Sequence, residues 1–194
     1  MRTDDFDYFL PPEFIAQTPA EPRDHSRLLV MDRASGRLSH DFFYHIDNYL
    51  KPGDLLVVNR TRVIPARLYG RKVPGGGRVE VLLLRQLGER TWECLVGGKG
   101  LREGARIAIE NGPAARVEAV LESSKRVVAF DDAIERYYAQ AGHVPLPPYI
   151  HNEAVDPERY QTVYNQVPGS AAAPTAGLHF TEALIARLNQ KGIS

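Results

Sequence analysis

The residues best placed to do chemistry lie in one short stretch, Gly169-Ser-Ala-Ala-Ala-Pro-Thr-Ala-Gly-Leu-His-Phe-Thr181. Most of its side chains are small, which lets backbone approach a ligand closely. Pro174 and Gly177 shape the chain, while Thr175, His179 and Thr181 carry the polar chemistry. A helix is expected from Glu182, and a helix start presents unpaired N–H groups. Histidine is the default proton carrier near neutral pH. The same pattern also describes an ordinary helix-entry loop with a satisfied histidine. A polar run, Arg159-Tyr160-Gln161, precedes the stretch.

Two further polar groups sit beside strand-like runs. Arg23-Asp24-His25-Ser26-Arg27 precedes Leu28-Leu29-Val30-Met31, and reads either as a salt-bridged loop or as a polar site at a strand edge. Asn59-Arg60-Thr61-Arg62 follows Asp54-Leu55-Leu56-Val57-Val58, a run of the type buried on both faces of a sheet. In open α/β sheets, ligands bind at the carboxyl ends of such strands.

The elements that must position these residues can be read in order. Pro11 to Ala16 starts a short helix, and Arg33-Ala34-Ser35-Gly36 turns a hairpin into Arg37–His40. Phe42, Phe43, Ile46, Tyr49 and Leu50 recur at helical spacing, predicting an amphipathic helix from a capping Asp41 to Leu50. After Pro65 come short β-rich runs: 67–73, 78–87, 91–96, 105–110, 116–122 and 126–130. Regular turn signals separate them, which predicts a small all-β unit. A closed barrel is expected, because an open sheet would expose two edges. Asp131 to Gln140 reads as a helix, and Val144 to Ile150 as a stiff proline-rich connector. Glu182 to Lys191 is the last helix, ended by Gly192 and sealed by Ile193.

This gives a mixed α/β chain: a discontinuous α/β domain (1–65 and 150–194) carrying an inserted small all-β barrel domain (66–149). The α/β part holds only one strongly buried-type strand, so further strands of that domain are expected beyond Ser194.

Composition narrows the function. With 43% hydrophobic and 25% charged residues over 194 positions, the chain is globular rather than disordered. No apolar run suggests a membrane span, and the acidic N-terminus does not read as a signal peptide. A single cysteine, Cys94, excludes an intrachain disulfide and any multi-cysteine zinc site, and a cytoplasmic setting is expected. The 24 basic and 24 acidic side chains cancel, yet residues 55–79 contain no acid. Arg60, Arg62, Arg67, Arg71, Lys72 and Arg78 fall there. They either follow a phosphate backbone or form a solvated strand face. Gly97-Gly98-Lys99-Gly100 lacks the P-loop pattern and its following helix, and reads as a tight turn whose Lys99 is available to RNA.

Motifs along the whole chain resemble those of the S-adenosylmethionine:tRNA ribosyltransferase-isomerase family of queuosine biosynthesis. They include Asp5-Phe6-Asp7-Tyr8, Arg23-Asp24 with Ser26-Arg27-Leu28-Leu29, and Asp54-Leu55-Leu56-Val57 with Asn59. Thr61 to Leu68, Glu80 to Leu83, Pro145 to Ile150, Arg159 to Tyr164 and Gly169 to Thr181 continue the match. Arg60 departs from it, standing where the family usually has an acid or an amide. The family also continues well past position 194, so the likeness covers its N-terminal half or somewhat more.

The resemblance implies an α/β fold with an inserted barrel. It implies ribosyl transfer from S-adenosylmethionine, as substrate rather than cofactor, to 7-aminomethyl-7-deazaguanine at a tRNA wobble position. The ribosyl unit rearranges to give epoxyqueuosine, with adenine and methionine released. His179 and Asp24 become the candidate catalytic residues, with His25 behind them. Arg23, Ser26, Arg27, Asn59, Thr61, Arg62, Tyr160, Gln161, Pro174, Thr175, Gly177, Phe180 and Thr181 become substrate-binding candidates. Tyr160 or Phe180 offers an aromatic face to the sulfonium. Arg67, Arg71, Lys72, Arg78 and Lys99 are the RNA-contact candidates. A monomer without metal is expected. The rivals are a catalytically incomplete tRNA-binding fragment and a methyltransferase. The latter lacks its Gly-rich turn after the first strand.

Overall fold

The computed structural model describes residues 1–152 and 156–194. Residues 153–155, inside the expected 150–194 segment, lie outside the described residues. The chain separates into two compact units: Met1–Leu55 with Leu146–Arg159 and His179–Ser194, and Leu56–Pro145 with Tyr160–Leu178.

The second unit is built on antiparallel strands: β4 (Arg67–Val73), β5 (Arg78–Gly88), β6 (Thr91–Gly97), β7 (Arg106–Ile109), β8 (Ala114–Val120) and β9 (Lys125–Phe130). They pair in the order β4-β5-β6-β9-β8-β7, and β7 pairs back onto β4, closing a six-stranded barrel. Inward positions alternate with outward ones along each strand, the period of 2 that the sequence pattern requires. Leu68, Val81, Leu83, Cys94, Val117 and Val128 are fully buried in the barrel core. Each large apolar side chain there contributes roughly 1.5–3 kcal/mol of transfer free energy. Ile134, Tyr137 and Tyr138 pack on this core from a 3₁₀ turn (Ile134–Tyr137) and the short helix α1 (Tyr138–Ala141). Strand β10 (Gly142–His143) extends the sheet beyond β4. The expected helix from Asp131 therefore begins later, because Asp131 N–H is still bonded to Ala114 O in the barrel.

A parallel pair belongs to the same unit, β3 (Thr61–Val63) with β11 (Val167–Ser170). The Gln161 amide clamps it by accepting from Val63 N–H and donating to Val63 O, both at 2.9 Å.

The first unit carries the hairpin of β1 (Arg27–Met31) and β2 (Leu38–Phe42), with Arg27 opposite Phe42 and Met31 opposite Leu38. Its helix α2 (Glu182–Gln190) is capped at both ends. The Thr181 hydroxyl accepts from Leu184 N–H at 3.1 Å. Gly192, at φ +74°, closes the other end with the paired bonds Ile193 N–H to Leu188 O and Gly192 N–H to Asn189 O. Asp47, 8% exposed, receives Lys191 at 2.5 Å and Arg187 at 3.2 Å, tying this helix to the 3₁₀ segment Phe43–Asn48.

Two expectations fail in this part of the chain. The helix over 41–50 is only that 3₁₀ segment: Asp41 is held in β2 opposite Leu28, and the aromatic run behind it has weak helix propensity. Asp54 to Asn59 forms no strand. Leu55 is 73% and Val57 89% exposed, since a strand needs a ladder partner and none is present among the described residues. Also among the described residues, no helix is long and apolar enough to cross a membrane.

Burial pushes the Cys94 thiol far above its ordinary range. A thiol reagent such as DTNB should leave the native chain unlabelled at pH 8 and react at the urea concentration that opens the barrel; prompt native labelling would contradict this packing. The Lys191 hydrogen bond, with the Arg187 and Lys191 charges, holds the Asp47 carboxyl below its ordinary 3.8. Its stabilisation is thus present above pH 3.8 and lost as pH falls through the lower folded value. Asp47→Asn should lower stability at neutral pH and lose that difference towards pH 2 in parallel denaturation series; a pH-independent difference would contradict the linkage.

Candidate active site

In the first unit, two hydrogen bonds join chain segments more than 150 residues apart. Ser26 Oγ lies 2.8 Å from His179 Nδ1, and Thr181 Oγ donates to Asp24 Oδ2 at 3.1 Å. The partners are two residues apart on each side and run in opposite directions, so 24–26 and 179–181 lie alongside each other. Ser26 O also accepts from Phe43 N–H at 2.9 Å, which fixes the serine backbone. Phe43 in turn packs on the His179 ring at 5.3 Å and receives Phe180 edge-on at 5.0 Å.

This arrangement defines what His179 can do. Its Nδ1 is engaged by a hydroxyl that can donate or accept, so either neutral tautomer is supported. Its Nε2 has no hydrogen-bond partner among the described residues and is available as acid or base. Asp24 Oδ1 is likewise unengaged among them, whereas Oδ2 is oriented by Thr181. Thr181 therefore acts twice, capping α2 and orienting Asp24.

The remaining first-unit candidates stand around this cluster. Arg23 is half-buried in the 3₁₀ turn Arg23–His25, Arg27 begins β1, and His25 lies 4.9 Å from the Tyr44 ring. Phe180 is 8% exposed and belongs to a small aromatic core, which leaves little of its face for a sulfonium. Arg159 is occupied by Ala20 O at 2.7 Å and Glu21 at 2.8 Å.

The second unit holds the other candidates in a network of its own. Asn59 Oδ1 accepts from Thr61 N–H and Oγ, and Arg62 donates to Asn165 Oδ1 at 2.5 Å, while Asn165 donates to Thr162 O. Pairing of β3 with β11 thus sets the polar tip 59–62 against the start of the 169–181 stretch. Gly169 has φ +133°, a conformation open to glycine. Gly177 is buried for another reason: a Cβ there would collide with the Tyr164 hydroxyl and meet Thr162 Cγ2 at 3.1 Å. Thr175 is exposed on the 3₁₀ turn Thr175–His179, whose first bond runs from Gly177 N–H to Pro174 O. Tyr160 is half-buried at the end of the turn Pro157–Tyr160. Gln161 is buried, and its amide supports the Val63 backbone.

Among the RNA-contact candidates, Arg71 and Arg78 are exposed and directly opposite on β4 and β5. Arg67 is ion-paired to Glu80 at 3.0 Å, Lys72 reaches Lys99 O at 3.4 Å, and Lys99 lies in an exposed turn. Sequence reasoning did not reach Phe43, Tyr164 or Asn165. Phe43 was legible only as an apolar position and Tyr164 only as the end of the Arg159 to Tyr164 motif, and no pattern marks Asn165. No cluster of three or more His, Cys, Asp or Glu is placed to hold a metal among the described residues.

Thr181→Ala should cost about 1 kcal/mol of stability through the lost cap, and Thr181→Ser should restore it. Equal melting temperatures for wild type and the alanine variant would refute the double role.

The chain matches the family model described as "Queuosine biosynthesis protein" over residues 3–194. It is 50% identical over 194 residues to an S-adenosylmethionine:tRNA ribosyltransferase-isomerase of Thermosipho africanus, and 51% identical over 197 residues to one of Symbiobacterium thermophilum. Both alignments cover 100% of this chain but only 57% and 58% of the relatives. A crystal structure of an S-adenosylmethionine tRNA ribosyltransferase from Thermotoga maritima aligns over 98% of this chain and 55% of its own, with 38% identity and a TM-score of 0.41. The chain spans a little over half the length of the curated relatives it matches, and it belongs to the queuosine biosynthesis protein family.

Proposed function

We propose that the chain works, within a protein of its relatives' length, in transferring and isomerising the ribosyl unit of S-adenosylmethionine onto 7-aminomethyl-7-deazaguanine at a tRNA wobble position. Epoxyqueuosine forms, and adenine and methionine leave. The observation that carries this reading is the pairing of 24–26 with 179–181. It supports His179 Nε2 as a proton carrier beside an oriented carboxylate.

The sulfonium acidifies the C5′ hydrogens, so a nearby base can form the ylide. The acceptor amine must lose a proton to attack, and adenine leaves more readily once protonated. His179 takes the first of these roles, with Ser26 holding its ring. Asp24 provides negative charge opposite the sulfonium. Asn59, Thr61 and Arg62 with Thr175 and Gly177 are substrate-binding candidates. The reading includes an α/β domain formed by 1–65 and 150–194 around the barrel 66–149, a monomer in the cytoplasm, and no regenerated cofactor.

A second reading, a tRNA-binding portion without activity of its own, is favoured by the exposed Leu55, Val57 and Val58 and by the 57% coverage of the relatives. Adenine release from S-adenosylmethionine with tRNA bearing the modified base separates the two. In a chain extended to the relatives' length, His179→Ala should slow release by roughly 10²–10⁴, and near-normal turnover would remove His179 from the proton-transfer role. Release by the 194-residue chain itself would end the second reading.

A further inference from the structure

The outer face of the barrel carries four arginines that the sequence scatters over 46 positions, Arg71, Arg78, Arg106 and Arg116. The register brings them together. Arg71 on β4 faces Arg78 on β5, Arg106 on β7 faces Arg116 on β8, and Arg71 pairs with Ala108, two residues from Arg106. All four are exposed and project outward, in alternation with buried Gly70, Val79, Ile107 and Val117. Between the two pairs lie Ala108, opposite Arg71, and the exposed Val73, opposite Arg106, so no charged side chain separates them.

Like charges directly opposite on neighbouring strands weaken a sheet. This barrel has two such pairs side by side. Nearby acid is confined to the Arg116 end, where Glu118 stands 3.6 Å from Arg116 and Glu103 lines the same hollow, while Glu80 is taken by Arg67. Arg71 reaches only the Gly76 carbonyl, and Arg78 and Arg106 form no ion pair or side-chain hydrogen bond among the described residues. Four adjacent strands at about 4.8 Å spacing stretch the ladder over roughly 14 Å. That length suits successive phosphates of one nucleic-acid strand, each matched by a planar guanidinium.

We infer that this arginine ladder, Arg78–Arg71–Arg106–Arg116, is the docking surface for the phosphodiester backbone of the tRNA. The inference rests on the tRNA reading above and sharpens it. The RNA contact extends to Arg106 and Arg116, while Arg67 and Lys72 serve the barrel itself.

The test uses the 194-residue chain and an unmodified tRNA transcript, with fluorescence anisotropy across a potassium chloride series. Arg71→Gln/Arg78→Gln and Arg106→Gln/Arg116→Gln should each weaken binding about tenfold or more at low salt. Each should flatten log Kd against log salt by about one unit per arginine removed. The melting temperature should hold or rise, because a like-charge pair is relieved. Arg33→Gln/Arg37→Gln, on the β1–β2 hairpin, should bind as wild type. Unchanged affinity and slope in both ladder variants would overturn the ladder and leave the tRNA substrate intact. Loss of binding that only tracks lost folding, or a wild-type chain with no salt-dependent binding, would also overturn it. Adenine release from the extended chain judges the enzymatic reading separately.

Discussion

Closure of the barrel depends on β4, which must hydrogen-bond to β5 on one side and β7 on the other. The close approach is made at Gly70, where a Cβ would stand 2.5 Å from Ala108 O and 3.1 Å from Ile107 Cγ2. Any side chain there would push β7 away and leave two unpaired edges. Once β4 is seated, the register of its neighbours follows, and so does the outward row of arginines. The core and the charged surface are two faces of one constraint, since a one-residue slip would exchange them.

The first unit is organised by different physics. Among the described residues its sheet is the β1–β2 hairpin, so long-range polar links supply much of its definition. The capped helix α2 is fixed by Asp47 near one end and by the Asp24–Thr181 and Ser26–His179 bonds at the other. Phe43 fills the space behind the histidine. The residues that could move protons are thus held by the same contacts that hold the helix.

The barrel was legible in advance because alternation and turn chemistry are local signals. Runs such as 67–73 and 126–130 declare a half-buried strand without reference to anything distant, and the six strands form within one or two residues of expectation. The caps of α2 were legible for the same reason, with Gly192 and Ile193 sealing its end. The run Leu55 to Val58 shows the opposite case. Its composition marks a buried strand, but pairing belongs to two segments, and no composition can supply the second. At 41–50, helical spacing was present, yet the strand bond at Asp41 and the aromatic side chains limited the helix to a 3₁₀ segment.

For the site, the sequence by itself determined which residue types could carry the chemistry: Asp24, Ser26, His179 and Thr181 stand out by composition and motif. It also determined family membership, which depends on residue order alone. Only the tertiary structure decided that 24–26 lies against 179–181, that Gln161 is spent on Val63, and that Arg71 and Arg78 continue into Arg106 and Arg116. Those facts depend on contacts between residues far apart in the chain, set by strand register and helix docking. Local patterns specify elements; only packing specifies which elements meet.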